Sequence, residues 1–322
     1  MKFPPRAAIA AAALSFLSLS CGGEKAGVAL LTPGPVSDHG WNAAAYEGLA
    51  RIHTELKVPV AHVQVKTPSD FEEQFRDFAA RGAWLEFGHG FEFQDAAARA
   101  ARDFPRTVFI TTSGSTMLPN MAPMVFELEQ ATYLCGMAAA RLSKSGIVGA
   151  VGGVQIPSVA STFLAFEGGV HAVNPRATVR SVYTGSFDDA AAARQATLAL
   201  ADQGCDIVIH NADAAGAGVF QAARERRIFA FGTNKDQNGL APDVIVASAV
   251  IDIPGAFVRV AQEVRAGKFR PRSIRFGFRD GVISYVWNPR LVSSLPPGLT
   301  AEVDRARAAI EAGTIVVPRG NF

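Results

Sequence analysis

The chain alternates between short apolar runs and longer stretches in which apolar residues recur every three or four positions. Residues 28–31 are continuously apolar, which is typical of a buried strand. Residues 42–56 follow with Ala45, Leu49 and Ile52 on one face, which predicts an amphipathic helix. Further strands are predicted at 58–65, 84–87, 107–111, 147–151, 179–184, 206–210, 228–232 and 244–250, and further helices at 70–80, 94–103, 131–142, 163–173, 190–202, 217–224, 254–266 and 301–312.

Strands that alternate with helices in this way predict an α/β protein built from βαβ units with parallel sheets. The continuously apolar strands indicate sheets that are covered on both faces. There are more βαβ units than one sheet usually holds, so we expect two lobes. The stretch 117–123 carries Pro119 and Pro123 between two regular regions, and we place a lobe boundary close after it, near Glu127.

The pattern changes after residue 232. Residues 274–278 and 283–287 are apolar, and Asp280 and Gly281 lie between them as a turn dipeptide. These features predict a β-hairpin.

Composition and charge narrow the class of partner. Apolar residues make up 49% of the 322-residue chain and charged residues 19%, which is typical of a globular protein. The formal net charge is +2, with no basic block. Phosphate backbones are bound by clustered lysine and arginine, so we expect no nucleic-acid partner.

The N-terminal 21 residues have the layout of a secretory signal. Lys2 and Arg6 precede an apolar run at 7–19, and small residues lead to Cys21. The run is too short for a permanent membrane helix. A cysteine at the cleavage point suggests a lipoprotein lipidated on Cys21, although Ser18 and Leu19 depart from the usual order of residues, and a plain cleaved signal is the alternative. Either way, the mature chain is expected outside the cytoplasm.

Three cysteines do not make a disulfide framework. Cys21 belongs to the signal. Cys135 and Cys205 lie in or beside apolar runs, which favours buried small hydrophobic residues, and a bridge between them is the alternative in an oxidising compartment.

The loop after the first strand is the first candidate site, because ligands of open α/β sheets bind beyond the carboxyl ends of strands. It reads TPGPVSDHGWN and leaves Asp38, Trp41 and Asn42 at a helix start. Asp38 can accept hydrogen bonds, Asn42 can donate and accept them, and Trp41 offers a flat face for stacking. The alternative is that Asp38 caps the helix and Trp41 packs in the core.

Three later loops add candidates. Phe91 lies in FGHGFEF, where two glycines indicate backbone close to a ligand, and Phe187 lies in GSFDD, where an aspartate is expected to cap the next helix. The segment HNADAAGAGVF contains Gly216 in a weak GxG pattern and Phe220. Asp236, in GTNKDQ after the next strand, is placed to hold two vicinal hydroxyls or a base edge.

Motifs for metal or covalent chemistry do not occur in the sequence. There is no HExxH, CxxC pair, Walker A sequence or GxSxG elbow, and the six histidines do not fall at metal-ligand spacing. We therefore expect no metal, no cofactor and no catalytic residues.

The chain resembles a known family along nearly the whole mature part. The segments that carry the resemblance are SDHGWNAAAYEGL, DFPRTVFI, EQATYLCGMAAARLSKSGIVGAVGG, NPRATVRSVYTGSFDD, DQGCDIVIHNADAAGAGVFQAA and FGTNKDQ. They are similar to the basic membrane protein family of ABC-transporter substrate-binding lipoproteins, which includes purine nucleoside receptors. The resemblance implies the type I periplasmic-binding fold, with two doubly wound lobes joined by hinge strands. It assigns 26–127 plus about 249–285 to lobe 1 and 128–248 plus about 286–322 to lobe 2.

The resemblance also implies residue roles. The family's Asp-x-x-Phe-Asn element falls on Asp38, Trp41 and Asn42, with tryptophan in place of phenylalanine. Its ribose-contacting aspartate falls on Asp236. Its Gly-x-Gly-Val-Phe segment starts at Gly216 and ends at Phe220. Many members carry a cleft lysine where this chain has Ile251 and Asp252, so this chain is expected to prefer a bare base or another flat heterocycle.

The expected function is the extracytoplasmic, lipid-anchored substrate-binding component of an ABC importer. A purine nucleoside or base would lie between Trp41 and an aromatic ring of the other lobe, and a monomer would deliver it to a membrane permease. Two alternatives remain open. One is an envelope hydrolase or phosphorylase acting on nucleosides, with Asp38 and Asp236 as acid and base. The other is a ligand-binding sensor domain.

Overall fold

A computed structural model describes residues 27–38 and 40–320. The predicted signal segment and Cys21 lie outside the described residues. Within them, no helix combines the length and the apolar character needed to cross a bilayer.

The described part of the chain contains strands and helices in close to the predicted places. The strands are β1 (Val28–Thr32), β2 (Val60–Gln64), β3 (Leu85–Gly88), β4 (Val108–Thr112), β5 (Met121–Phe126), β6 (Ile147–Gly152), β7 (Thr178–Tyr183), β8 (Ile207–Asn211), β9 (Phe229–Asn234), β10 (Ile245–Ile251), β11 (Ile274–Phe276) and β12 (Ile283–Trp287). The helices are α1 (Trp41–Leu56), α2 (Pro68–Ala80), α3 (Gln94–Asp103), α4 (Glu129–Leu142), α5 (Pro157–Val173), α6 (Ala190–Asp202), α7 (Gly216–Arg226), α8 (Ile253–Arg265) and α9 (Leu299–Ala312).

These strands form two six-stranded sheets, which confirms the expected α/β class. The first sheet has the order β11-β5-β4-β3-β1-β2, and all its neighbours are parallel. The second has the order β12-β10-β9-β8-β6-β7, and only β12 runs antiparallel to its neighbour. We call each sheet with the helices packed on it a lobe.

The chain passes between the lobes at three places: after β5, between β10 and α8, and between β11 and β12. Helix α8 packs against α1 of the first lobe, whereas α9 packs against α4 of the second. The lobe limits expected near residues 249 and 285 fall inside β10 and β12, and both strands pair in the second sheet. By strand pairing, the crossings therefore lie at 251–253 and 276–283.

The predicted hairpin is wrong. Strand β11 pairs with β5 in the first sheet, and β12 pairs with β10 in the second, so the turn at Asp280 joins the two lobes. Strand β5 lies in the stretch that the prolines marked as irregular, and its Pro123 pairs with Thr111. Both differences have one cause: which strand lies beside which depends on contacts distant in sequence.

The two lobes are held in shape by buried strands and close helix contacts. The Phe87 ring of β3 stacks on Phe257 of α8, with centroids 4.2 Å apart and planes 9° from parallel. Gly48 permits this approach of α1, since a Cβ there would lie 3.1 Å from the Phe257 Cβ. Cys135 and Cys205 are both buried and are not joined to each other, which confirms them as small core residues.

Candidate functional site

A cavity of about 190 Å³ lies between the two lobes. Its lining comes from loops that follow strands in both sheets, at the carboxyl ends where ligands of parallel sheets bind. Four of the predicted site residues line it: Trp41, Asn42, Phe91 and Phe187. The strand-end loops chosen from the sequence therefore border this cavity.

Asp38 organises the start of α1 from behind the cavity. Its Oδ1 accepts the backbone N–H groups of Gly40 and Ala43, at 3.0 and 2.8 Å. Its Oδ2 accepts the backbone N–H and the side-chain Nδ2–H of Asn42, both at 2.8 Å. These four bonds occupy the four acceptor positions of a carboxylate. The capping alternative is thus what the geometry shows for Asp38, and the same bonds hold Asn42 in place.

The Trp41 backbone N–H, also at the N-terminus of α1, is capped by a side chain of the other lobe. Asp213, in the loop after β8, accepts the Trp41 backbone N–H on Oδ1 at 2.8 Å. A Cβ on Gly40 would lie 2.0 Å from that oxygen, so this approach requires glycine. Burial and the neighbouring Asp38 carboxylate raise the pKa of Asp213 well above its usual range. The N-terminus of α1 is therefore completed only when the lobes touch.

The Trp41 indole has one covered face. His89 stacks on it with centroids 4.2 Å apart and planes 21° from parallel, and Phe126 meets the indole edge-on at 5.9 Å. The buried His89 Nε2 lies 3.0 Å from the Trp41 carbonyl oxygen, which can only accept, so Nε2 carries the proton. Burial lowers the pKa of His89 to about 3. A neutral imidazole therefore fixes the indole, which lines the cavity.

The second lobe contributes an aromatic wall through Phe187. A Cβ on Gly153 would lie 2.3 Å from the Phe187 Cδ1, so the ring rests directly on the backbone of the loop after β6. Phe91 lines the cavity from the first lobe, while Phe87 and Phe93 of the same segment are core residues. Aromatic side chains thus face one space from both lobes.

Three strained backbone positions lie around the same space. Ser113, Asp213 and Asn234 have φ values of 60°, 49° and 69°, in the left-handed region that side-chain-bearing residues rarely adopt. Each follows or ends a strand, and each lines the cavity. They are three of the five positive-φ residues other than glycine in the described chain. Such strain is concentrated at functional sites, which supports this cavity as the site.

The family resemblance led us to look for a cleft lysine at the end of β10, where this chain has Ile251 and Asp252. Ile251 lines the cavity with an apolar side chain. Asp252 accepts the Gly255 backbone N–H at 2.9 Å and caps α8. This part of the cavity is therefore apolar.

The glycine-rich segment after β8 has a packing role in the structure. A Cβ on Gly216 would lie 2.3 Å from the His210 ring, and Phe220 meets that ring edge-on at 5.0 Å. His210 is fully buried, and its Nε2 donates to Gln237 Oε1 at 2.8 Å. Neither Gly216 nor Phe220 is among the described residues that line the cavity. Position 216 must be glycine because the His210 ring lies directly against it.

Asp236 also lies outside the lining formed by the described residues. It is exposed, and its Oδ1 accepts the Asn238 backbone N–H at 3.0 Å. Asn238 in turn donates to the Val286 carbonyl, and Ser248 accepts the Gln237 N–H. The Asp-Gln-Asn turn therefore ties the ends of β9, β10 and β12 together, and a ligand role for Asp236 stays a prediction.

Comparison with known proteins identifies the family. Residues 25–318 match the Bmp family, described as "ABC transporter substrate-binding protein PnrA-like". The chain belongs to the Bmp family.

Other Bmp-like sequences are similar over most of the chain. It is 27% identical to a purine-binding protein of Brucella abortus over 295 residues, covering 91% of this chain and 83% of that one. It is 26% identical to an ABC transporter nucleoside-binding protein of Lactococcus lactis over 256 residues, covering 73% of each chain.

A solved structure confirms the fold. An ABC transporter solute-binding protein of Aeropyrum pernix superimposes with a TM-score of 0.79, covering 91% of this chain and 94% of that one at 20% identity. The architecture of this Bmp chain is thus the type I periplasmic-binding fold. As a member of this family, it is an ABC-transporter solute-binding protein.

The choice of residues from the sequence left out several polar residues that line the cavity of this Bmp chain, Asp213 among them. Asp213 lies two residues beyond the end of β8, and Asp188, expected only as a possible helix cap, also lines the cavity. Asp189 is the residue that caps α6, by accepting the Ala192 N–H. A carboxylate just beyond a strand was the signal used for Asp236, and the same signal applies to Asp213.

The enzymatic alternative paired Asp38 with Asp236. In this Bmp chain, Asp38 has its acceptor positions occupied by four N–H groups, and Asp236 is exposed outside the cavity. A general base must reach the proton it abstracts with a free lone pair. The geometry therefore gives this acid–base pair no support.

Proposed function

We propose that this chain is the extracytoplasmic subunit of an ABC importer that clamps a flat heterocycle, a purine nucleoside or a free purine base, between its lobes. The observation that carries the proposal is the aromatic lining. Trp41 and Phe91 of the first lobe and Phe187 of the second face one cavity. Stacking contributes about 0.5–1.5 kcal/mol per ring pair beyond burial. The purine and nucleoside binding of the two relatives named above supports the same ligand class.

Contacts across the cleft support a clamping mechanism. The bond from Trp41 to Asp213 and a 3.6 Å ion pair between Lys235 and Glu47 both join the lobes. The ion pair is partly exposed and contributes less than about 1 kcal/mol. A ligand that touches both lobes stabilises this closed arrangement relative to an open one, because it binds the closed state better. The closed lobes then form the surface that a permease reads.

Calorimetry of the mature chain tests this function. The panel contains purine bases, nucleosides and flavins, with sugars and amino acids as the competing classes. We expect at least one flat heterocycle to bind with a Kd on the order of 1 μM or tighter. Binding of a sugar or amino acid without binding of any flat heterocycle would overturn the proposal. Mass spectrometry of ligand carried through purification provides an independent identification.

We also propose that Cys21 carries a lipid and that the protein acts as a monomer on the outer side of the cytoplasmic membrane. The cysteine follows a short apolar run, as in lipoprotein signals. Intact-mass analysis of the membrane fraction should show a lipid adduct, and Cys21→Ser should release the chain from membranes. A membrane-associated Cys21→Ser variant would contradict the anchor.

A further inference from the structure

The polar lining of the cavity is rich in acceptors and in carboxyl groups. Glu92, Asp188 and Asp213 line it, and Asp38 lies directly behind Asn42. Neither lysine nor arginine occurs among the described residues of the lining. A ligand with a phosphate or carboxylate would lose its hydration and face like charges, which disfavours anions.

Asn42 supplies an independent sign of the ligand's chemistry. Its side chain is 5% exposed and lines the cavity, and its Nδ2 donates to Asp38. Its Oδ1 is buried and has no hydrogen-bond partner among the residues that the structure describes. The reverse amide orientation would set that oxygen against the Asp38 carboxylate, so the chemistry of the pair fixes the assignment. A buried acceptor without a partner is costly, and a donor on the ligand would satisfy it.

The Asp38–Asp213 pair brings two carboxyl groups together at the same place. Among the residues that the structure describes, Asp213 accepts only the Trp41 N–H, whereas Asp38 already accepts four N–H groups. Burial and the Asp38 carboxylate raise the pKa of Asp213, with Asp188 as a weaker contributor. A cation beside the pair would stabilise the ionised form of both carboxyl groups. The indole of Trp41 and the ring of Phe187 would favour the same charge through their π faces.

We propose that the ligand is a planar nitrogen heterocycle that carries a positive charge, with N–H donors along the edge that meets Asn42 and Asp213. This inference rests on the proposed binding of flat heterocycles and narrows it to a cationic class. Asp213 is the specificity-determining residue that separates cationic from neutral rings. Asn42 reads the donor edge.

Two isomeric nucleosides test the charge at nearly constant shape. 1-Methyladenosine is cationic at neutral pH, and N6-methyladenosine is neutral. Calorimetry at low ionic strength should show at least about tenfold tighter binding of the cation. Equal or tighter binding of the neutral isomer overturns the cationic inference and leaves heterocycle binding in place. The same holds if neither isomer binds while a neutral purine does. If no flat heterocycle binds, the proposed function itself fails.

Two aspartate variants test whether Asp213 is the source of the preference for the cation. Asp213→Asn should reduce the preference for the cation at least about threefold, because one carboxylate beside the ring is lost. Asp202→Asn removes the same charge at the far end of α6, outside the cavity lining, and should leave the preference unchanged. An equal loss in both variants would assign the preference to net charge and overturn the role of Asp213.

Proton release on ligand binding is a second readout, and it can be measured on the wild-type protein alone. Because the pKa of Asp213 is raised in the free protein, an arriving cation lowers it and expels a proton. The titration heat of 1-methyladenosine should therefore differ between buffers of different ionisation enthalpy, and its affinity should rise with pH. Heats that do not depend on the buffer, together with pH-independent affinity, would contradict a charge contact with Asp213.

Discussion

The Trp41 backbone N–H of the first lobe donates a 2.8 Å hydrogen bond to Asp213 Oδ1 of the second. The bond completes the capping of α1 with a side chain from across the cleft. The residue whose ring lines the cavity is therefore also the residue whose backbone joins the lobes. Under the proposed function, this one position would couple ligand stacking to closure of the lobes.

Replacing Trp41 tests the stacking wall. Trp41→Ala should weaken binding of a flat heterocycle at least about tenfold, because it removes both the ring contact and the buried area. Trp41→Phe keeps an aromatic face and should retain most of the affinity. Calorimetry with the same ligand measures both. Wild-type affinity in Trp41→Ala would refute stacking on this ring.

Gly40→Ala tests closure without replacing a residue of the lining. Its Cβ would lie 2.0 Å from Asp213 Oδ1, so the bond across the cleft must break. We expect about tenfold weaker ligand binding and a larger radius of gyration in the ligand-saturated protein by small-angle X-ray scattering. Gly239→Ala is the control, since no heavy atom of the described residues other than its chain neighbours lies within 4 Å of a Cβ there. A compact, tight-binding Gly40→Ala protein would show that the contact is dispensable.

Gly216→Ala separates a packing role from a ligand role. The new methyl group would lie 2.3 Å from the buried His210 ring. Overpacking of this kind costs about 1–3 kcal/mol, so thermal unfolding should show a lower Tm. The affinity of the folded variant for its ligand should be unchanged. A weaker affinity with an unchanged Tm would instead support the ligand contact that the sequence suggested.

Glu86 makes stability depend on pH. It is fully buried in β3, neither of its carboxyl oxygens has a hydrogen-bond partner within 27–38 and 40–320, and burial raises its pKa well above the ordinary value of 4.5. Between the unfolded-state and folded-state pKa values, Glu86 is protonated in the folded protein and ionised in the unfolded chain. The contribution of Glu86 to the free energy of unfolding is therefore greatest below pH 4.5. It falls by up to about 1.4 kcal/mol per pH unit as the pH rises toward the folded-state pKa.

Glu86→Gln should remove this dependence and raise the Tm at pH 8 above that of the wild type, with a smaller difference at pH 5. Thermal unfolding across that range gives the comparison. Parallel Tm–pH curves for the two proteins would mean that Glu86 is not the titrating group.

The sequence by itself determined the class of the fold, the order of its elements apart from β5, and the strand-end loops that border the cavity. Hydrophobic periodicity is a local signal, so the helices at Gln94–Asp103 and Ala190–Asp202 are predicted with their observed limits. Trp41 and Asn42 were found because a strand, a turn and a helix start lie consecutively in the chain.

Only the tertiary structure decided which strands pair and which side chains share the cavity. Strand β11 joins β5, about 150 residues earlier in the chain, and Asp213 meets Trp41 across a separation of 172 residues. Asp236 and Asp213 both follow strands, yet one is exposed and the other lines the cleft. Backbone dihedrals and the contacts between the lobes make that difference, and neither leaves a local pattern in the sequence.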